Sequence, residues 1–147
     1  MDPAFEAMCV NRELHSVLFA PICSKYHLTH TEMVVLLFLN EHNENQEGNT
    51  AADIVECLKF AKSHVSTSVR DLMERGLLQG NYEGRNHRSI HLQLCESAKI
   101  IVKEGQKVQK EFSDIIYSGF TSKERESIED FYRKMLSNAN QYIKSHS

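Results

Sequence analysis

The sequence predicts a mainly α-helical fold carrying one small β-hairpin, and three observations lead there. Across residues 50–94 a short helix, a tight turn, a second helix and a pair of strands follow one another. The helix-starting pattern of a threonine followed three residues later by an acid occurs at Thr29 with Glu32, Thr50 with Asp53 and Thr121 with Glu124. On either side of the central block, apolar residues recur at helical spacing.

The elements can be justified in order. Residues 5–24 place Met8, Val10, Leu14, Val17, Leu18 and Ile22 on a helical pattern, with Pro21 expected to kink or end the run because it lacks an N–H. Thr29-His30-Thr31-Glu32 is a capping box, so a helix starts there and runs through Met33 and the apolar residues that follow it. Those residues are apolar on all sides, the mark of a buried central helix that stops in the polar loop 40–48. Thr50 with Asp53 is a weaker cap for a short helix whose inward face would use Ala52, Ile54, Val55 and Leu58. After a turn at 59–61, residues 62–75 put Val65, Val69, Leu72 and Met73 on one side, and Gly76 provides a left-handed stop.

Residues 77–82 and 89–94 read as paired strands, with Ile90, Leu92 and Leu94 alternating against Ser89, His91 and Gln93. From Ala98 onward Ile101, Gly105, Val108, Phe112 and Ile115 form the seam of a long helix that Gly119 ends. Thr121 with Glu124 then caps a last helix with its own seam at Ile128, Tyr132, Met135, Ala139 and Tyr142. The full expectation is a winged helix-turn-helix flanked by N- and C-terminal dimerisation helices. It forms one domain over 1–147, with a DNA-binding lobe at 28–95 and helical dimerisation regions at 1–27 and 96–147. Two long helices outside a small winged lobe need a partner surface, and a homodimer is the economical one.

Composition narrows the function. The 147 residues are 41% hydrophobic and 25% charged, ordinary values for a globular protein. No apolar run is long enough to cross a bilayer, and the acidic start Met1-Asp2 is unlike a signal peptide, so no membrane contact and a cytoplasmic location are expected. Cysteines at 9, 23, 57 and 95 form no CxxC pair, which favours reduced thiols over disulfides. The formal net charge is −3, but residues 1–58 carry 2 basic and 9 acidic side chains, whereas residues 59–91 carry 6 basic and 3 acidic. The basic members are Lys59, Lys62, Arg70, Arg75, Arg85 and Arg88, concentrated where a helix and hairpin would meet phosphates.

The outward face of helix 62–75 offers Lys62, Ser63, His64, Ser66, Thr67 and Arg70, small hydroxyls beside cations, suited to phosphates and base edges. The hairpin tip, residues 83–88, adds Arg85, Asn86, His87 and Arg88 for the minor groove. Cys23 and the histidines at 27 and 30 have short metal-ligand spacing, but capping and solvated polar roles account for them, so no metal or cofactor is expected. No phosphate loop, nucleophile elbow or HExxH is present, so an enzyme is not expected.

These residues together resemble the MarR family of bacterial winged-helix transcriptional regulators. The resemblance rests on Leu28-Thr29, Ser63-His64-Val65-Ser66, the run from Leu72 through Met73-Glu74-Arg75-Gly76 to Leu78, and Gly119-Phe120-Thr121-Ser122-Lys123-Glu124. Where the family commonly has Asp-Arg-Arg in the wing and Leu-Thr after it, this chain has Asn86-His87-Arg88 and Leu94-Cys95, and Thr67 stands where many relatives carry arginine. The resemblance implies double-stranded DNA as partner, with Arg88 at the minor groove or adjacent backbone. It further implies a homodimer, often a repressor, that reads a palindromic or near-palindromic operator and responds to a small-molecule effector, a metal or an oxidant. Zinc-responsive relatives use histidines on the helix after the wing, and none lies between His91 and His146. Peroxide-sensing relatives make Cys9, or Cys9 with Cys23, a candidate redox sensor. The alternative is a winged-helix module that binds a protein rather than DNA.

Overall fold

The first helix, α1 (Pro3–Tyr26), is started by the Asp2 carboxylate, which accepts from the Ala4 amide at 2.8 Å, with Pro3 at the first helical position, where its missing N–H costs nothing. The computed structural model describes residues 1–42, 48–81 and 90–147. Of the two expected effects of Pro21, ending the helix does not occur: α1 continues to Tyr26. Pro21 is exposed while Phe19 and Ile22, on the opposite side, are buried, so packing holds the helix together and the missing hydrogen bond falls on the solvent side.

Helix α2 (His30–Glu41) begins at a complete capping box. Thr29 Oγ1 accepts from the Glu32 amide at 3.0 Å and Glu32 Oε1 accepts from the Thr29 amide at 2.8 Å. Met33, Val35, Leu36, Phe38 and Leu39 are all buried, so this is the central helix that its all-round apolarity predicts. Each such side chain contributes roughly 1.5–3 kcal/mol of burial. Helix α3 (Ala51–Leu58) carries a full box rather than a weak cap, with the Thr50 amide donating to Asp53 at 3.0 Å and the Asp53 amide donating to Thr50 at 3.1 Å. Its inward face also differs from expectation by one residue. Ile54 is buried with Val55 and Leu58 beside it, but Ala51 packs on the core and Ala52 is exposed. A helix this short is oriented by Ile54, which leaves Ala52 on the far side of the turn.

Lys59, in the left-handed conformation at φ 58, turns the chain into α4 (Lys62–Glu74). Val65, Ser68, Val69 and Leu72 are buried along its inner side, and Gly76 follows its C-cap at φ 73. Strands β1 (Leu78–Asn81) and β2 (His91–Leu94) pair antiparallel, Leu78 opposite Leu94 and Asn81 opposite His91. A short 3-10 turn, Glu96–Ala98, leads into α5 (Lys99–Ile116), and α6 (Ser122–Ser145) follows a third capping box at Thr121 and Glu124. Gly105 of α5 is buried against α2: a Cβ there would lie 2.5 Å from the Met33 methyl carbon and 3.1 Å from Leu37, so a larger residue would require those two side chains to shift.

The chain forms two compact units, Met1–Phe112 and Ser113–Ser147. The first holds one continuous core with Phe19, Met33, Leu36, Leu39, Ile54, Val65 and Leu72 at its centre. In the second, α6 buries none of its residues, and Phe131, Leu136 and Tyr142 stay 60%, 62% and 65% exposed. All four cysteines are free thiols, and no helix among the described residues is long and apolar enough to cross a membrane.

Candidate nucleic-acid interface

Helices α3 and α4 with the turn between them form the helix-turn-helix, held by Ile54 and Val65 against the core. That packing leaves one face of α4 outward, and Lys62, Ser63, His64, Ser66, Thr67 and Arg70 are all exposed on it. The sequence-predicted contacts on this helix are thus brought together on one surface. Ala61 supplies no side-chain cap and the first turn holds no acid, so the leading amides of α4 remain unsatisfied beside Lys62, an arrangement that favours an anion. The Thr67 hydroxyl donates to the Ser63 carbonyl at 2.9 Å, so its proton is committed within the helix and only its lone pairs face outward. Lys62 and Arg70 make no ion pair among the described residues, whereas Lys59 lies 3.6 Å from Glu56.

The expected tip residues Arg85, Asn86, His87 and Arg88 lie outside the described residues. What the structure does reveal is how the hairpin is joined to the helices. Asn49, 1% exposed just before α3, accepts from the Leu92 amide through its backbone carbonyl at 3.0 Å, and its side-chain Oδ1 sits 2.6 Å from His91 Nδ1. Asn49 therefore fixes the base of the wing to the start of the helix-turn-helix, a role no local pattern could signal.

A second polar cluster lies where α1, α2 and α5 meet. His15 Nδ1 is 2.8 Å from His30 Nε2, and His15 Nε2 is 3.1 Å from Gln109 Oε1. The Gln109 oxygen can only accept, so neutral His15 carries its proton on Nε2 and takes a hydrogen bond from His30 on Nδ1. Burial, with the neighbouring His15, pushes the His30 pKa down. Beside it opens a cavity of about 250 Å³ lined by His15, Val34, Leu37, Phe38, Leu58 and Gln109.

Of the candidate sensors, Cys9 is half-buried on α1, and Cys23 is half-buried with its thiol pKa pushed up by burial and by Glu32. That keeps Cys23 protonated, the opposite of what a reactive thiolate needs. Among the described residues, no three His, Cys, Asp or Glu side chains come together as a metal site.

Comparison with known proteins agrees with this geometry. A family model described as a winged helix DNA-binding domain matches residues 28–98. The transcriptional regulator AdcR of Streptococcus pyogenes serotype M6 is 25% identical over 120 residues, covering 80% of this chain and 78% of AdcR. The crystal structure of a MarR family transcriptional regulator from Listeria monocytogenes complexed with 26mer DNA superposes with a TM-score of 0.84 at 19% identity, covering 99% of this chain and 95% of that one. Residues 28–98 match a winged helix DNA-binding domain, and the chain has the fold of MarR-family structures. Its MarR-type fold is shared with the S. aureus MepR–DNA complex, at a TM-score of 0.75 and 20% identity over 93% of this chain and 96% of that one. Residues 28–98 of the family match span the interface just described, from the cap of α2 through the hairpin.

Proposed function

We propose that the chain is a homodimeric, ligand-responsive repressor that reads a palindromic or near-palindromic operator in double-stranded DNA. Residues 62–75 enter the major groove and residues 83–88 the minor groove. The observation that carries this reading is the outward face of α4, where Lys62, Ser63, His64, Ser66, Thr67 and Arg70 are exposed together on a helix whose opposite side is core. The two DNA complexes among the solved structures of the same fold support it, and nothing comparable favours a protein partner in place of DNA.

The homodimer is supported by apolar surface. Phe5, Met8, Val10 and Val17 on α1 and Phe131, Met135, Leu136, Tyr142 and Ile143 on α6 are exposed, more large apolar groups than a monomer usually leaves in water. A second copy would cover them. The ligand response is supported by the cavity beside His15, which at about 250 Å³ lies just below the usual range of roughly 300–1,000 Å³ and so fits only a compact effector. In one solved structure of this fold, Bordetella bronchiseptica BpsR, regulation of DNA binding is by 6-hydroxynicotinic acid. An effector releases DNA only by binding the DNA-incompetent dimer more tightly, and a ratio of about 100-fold corresponds to roughly 2.7 kcal/mol.

The test is the salt dependence of binding to an operator selected from random duplexes. Affinity falls steeply with salt, and Lys62→Ala flattens the slope of log K against log salt by about one unit. Salt-independent binding, or no binding to any duplex, overturns the reading.

A further inference from the structure

Arg75 is counted among the cations of the basic segment, yet its guanidinium faces away from the role that count assigns to it. As the C-cap of α4 it reaches back to the end of α1, where Nη1 donates to the His27 carbonyl at 2.9 Å and Nη2 donates to the Tyr26 carbonyl at 2.5 Å. Both carbonyls belong to the unsatisfied end of a helix. His27 is the C-cap of α1 at φ 53, and the carbonyls of Cys23 and Ser24 are already taken by the Leu28 and His27 amides. A planar cation with two parallel donors matches two adjacent carbonyls, and its charge is favourable at the negative end of the α1 dipole.

One turn earlier on α4, Asp71 faces Glu32 of α2. Glu32 is 4% exposed; its Oε1 serves the capping box, and its Oε2 is buried with no donor among the described residues. Burial and the facing Asp71 push the Glu32 pKa up. The C-terminal half of α4 is therefore tied to both α1 and α2 by polar contacts, while among the described residues its first two turns make no side-chain hydrogen bond to another helix.

We infer that Arg75 is a positioning residue for DNA recognition: by clamping the Tyr26 and His27 carbonyls it sets the angle at which α4 leaves α1, and it makes no phosphate contact. The inference rests on the DNA-binding reading above and adds to it the residue that transmits the orientation of α1 to the recognition helix. In a dimer joined through α1, that angle decides how far apart two copies of α4 lie.

The experiment compares full-length wild type, Arg75→Ala, Arg75→Lys and Lys62→Ala. It measures affinity for the selected operator across a salt series, and for operators with the half-sites moved one or two base pairs apart. Arg75→Ala is expected to lose about 10-fold or more in affinity with an unchanged salt slope and to discriminate less between spacings, whereas Lys62→Ala lowers the slope. Arg75→Lys, with one point-like donor group for two carbonyls, falls between wild type and Arg75→Ala. A slope lowered by about one unit in Arg75→Ala makes Arg75 a phosphate contact and overturns the inference, as do unchanged affinity and spacing preference. Hydrogen exchange at the His27 and Leu28 amides reads the clamp without DNA: faster exchange in Arg75→Ala supports it, and unchanged exchange removes it. If wild type binds no duplex, the regulatory reading fails by itself, and the exchange arm still decides whether the clamp exists.

Discussion

Helices α2 and α6 start in the same way and end in opposite environments. Each opens on a threonine whose hydroxyl accepts from the amide three residues on, with a glutamate returning the bond at 2.8 Å in α2 and 3.0 Å in α6. Yet α2 buries Met33, Val35, Leu36, Phe38 and Leu39, and α6 buries nothing. The cap decides where a helix begins and carries no information about what will cover it. That depends on the distribution of apolar side chains. In α2 they surround the axis, which requires neighbours on every side. In α6 Phe131, Met135, Leu136 and Tyr142 alternate with charged residues such as Glu129, Asp130, Arg133 and Lys134, leaving apolar surface for which a second copy of the chain is the proposed cover.

The sharpest way to break this comparison is truncation of one leucine on each helix. Leu36→Ala, at a fully buried position, is expected to cost about 3 kcal/mol or more in urea unfolding. Leu136→Ala, at an exposed one, leaves the unfolding of the isolated protomer within about 0.5 kcal/mol while weakening self-association seen by light scattering. Equal losses in a monomeric protein would remove the distinction. A smaller effect separates the caps. Thr29→Ala and Thr121→Ala each lose about 1 kcal/mol, with Thr29→Ala the larger because the Glu32 amide loses its Thr29 Oγ1 acceptor at a more buried position, where water replaces it less readily. Thermal unfolding that ranks them in reverse would contradict this account.

The smallest effect concerns pH. Burial and the facing Asp71 push the Glu32 pKa up, while the Thr29 amide and hydroxyl pull it down without cancelling that rise. Its folded-state pKa therefore lies above the unfolded one. The stability this supplies is fully present below the unfolded carboxylate range and is lost as pH rises through the raised folded value. Glu32→Gln keeps the cap oxygen, supplies a donor for Asp71 and does not titrate, so above that window it should be more stable than wild type by on the order of 1 kcal/mol. Unfolding at a series of pH values, with wild type and variant showing the same slope, would refute the raised Glu32 pKa.

Much of the fold was legible because its signals are local. The three threonine caps, the stop at Gly76 and the alternation of Leu92 and Leu94 lie within a few residues of what they specify. The one error was local too, since the inward face of α3 was placed one residue off at Ala52, and the local pattern at Pro21 left open whether the helix would end there, which the packing of Phe19 and Ile22 decided. The outward face of α4 was readable from the spacing of Val65, Val69 and Leu72, which leaves the polar residues only one side to occupy. Asn49, Arg75 and the His15–His30–Gln109 cluster were not readable in this way. Their partners lie 42, 48 and 94 residues away for His91, His27 and Gln109, and no periodicity spans such distances.

The sequence by itself determined where helices start and stop, which stripe of each is apolar, and that cations gather on the second helix of the helix-turn-helix and the hairpin after it. Those features follow from hydrogen-bonding and side-chain periodicities that act within one or two turns of chain. Only the tertiary structure decided which of the cations face outward. Lys62 and Arg70 are exposed on the α4 surface, while Arg75, in the same basic segment, is turned to the carbonyls that α1 leaves unsatisfied. A charge is a property of the residue, but its partner is set by whichever unsatisfied group the folded chain brings within reach.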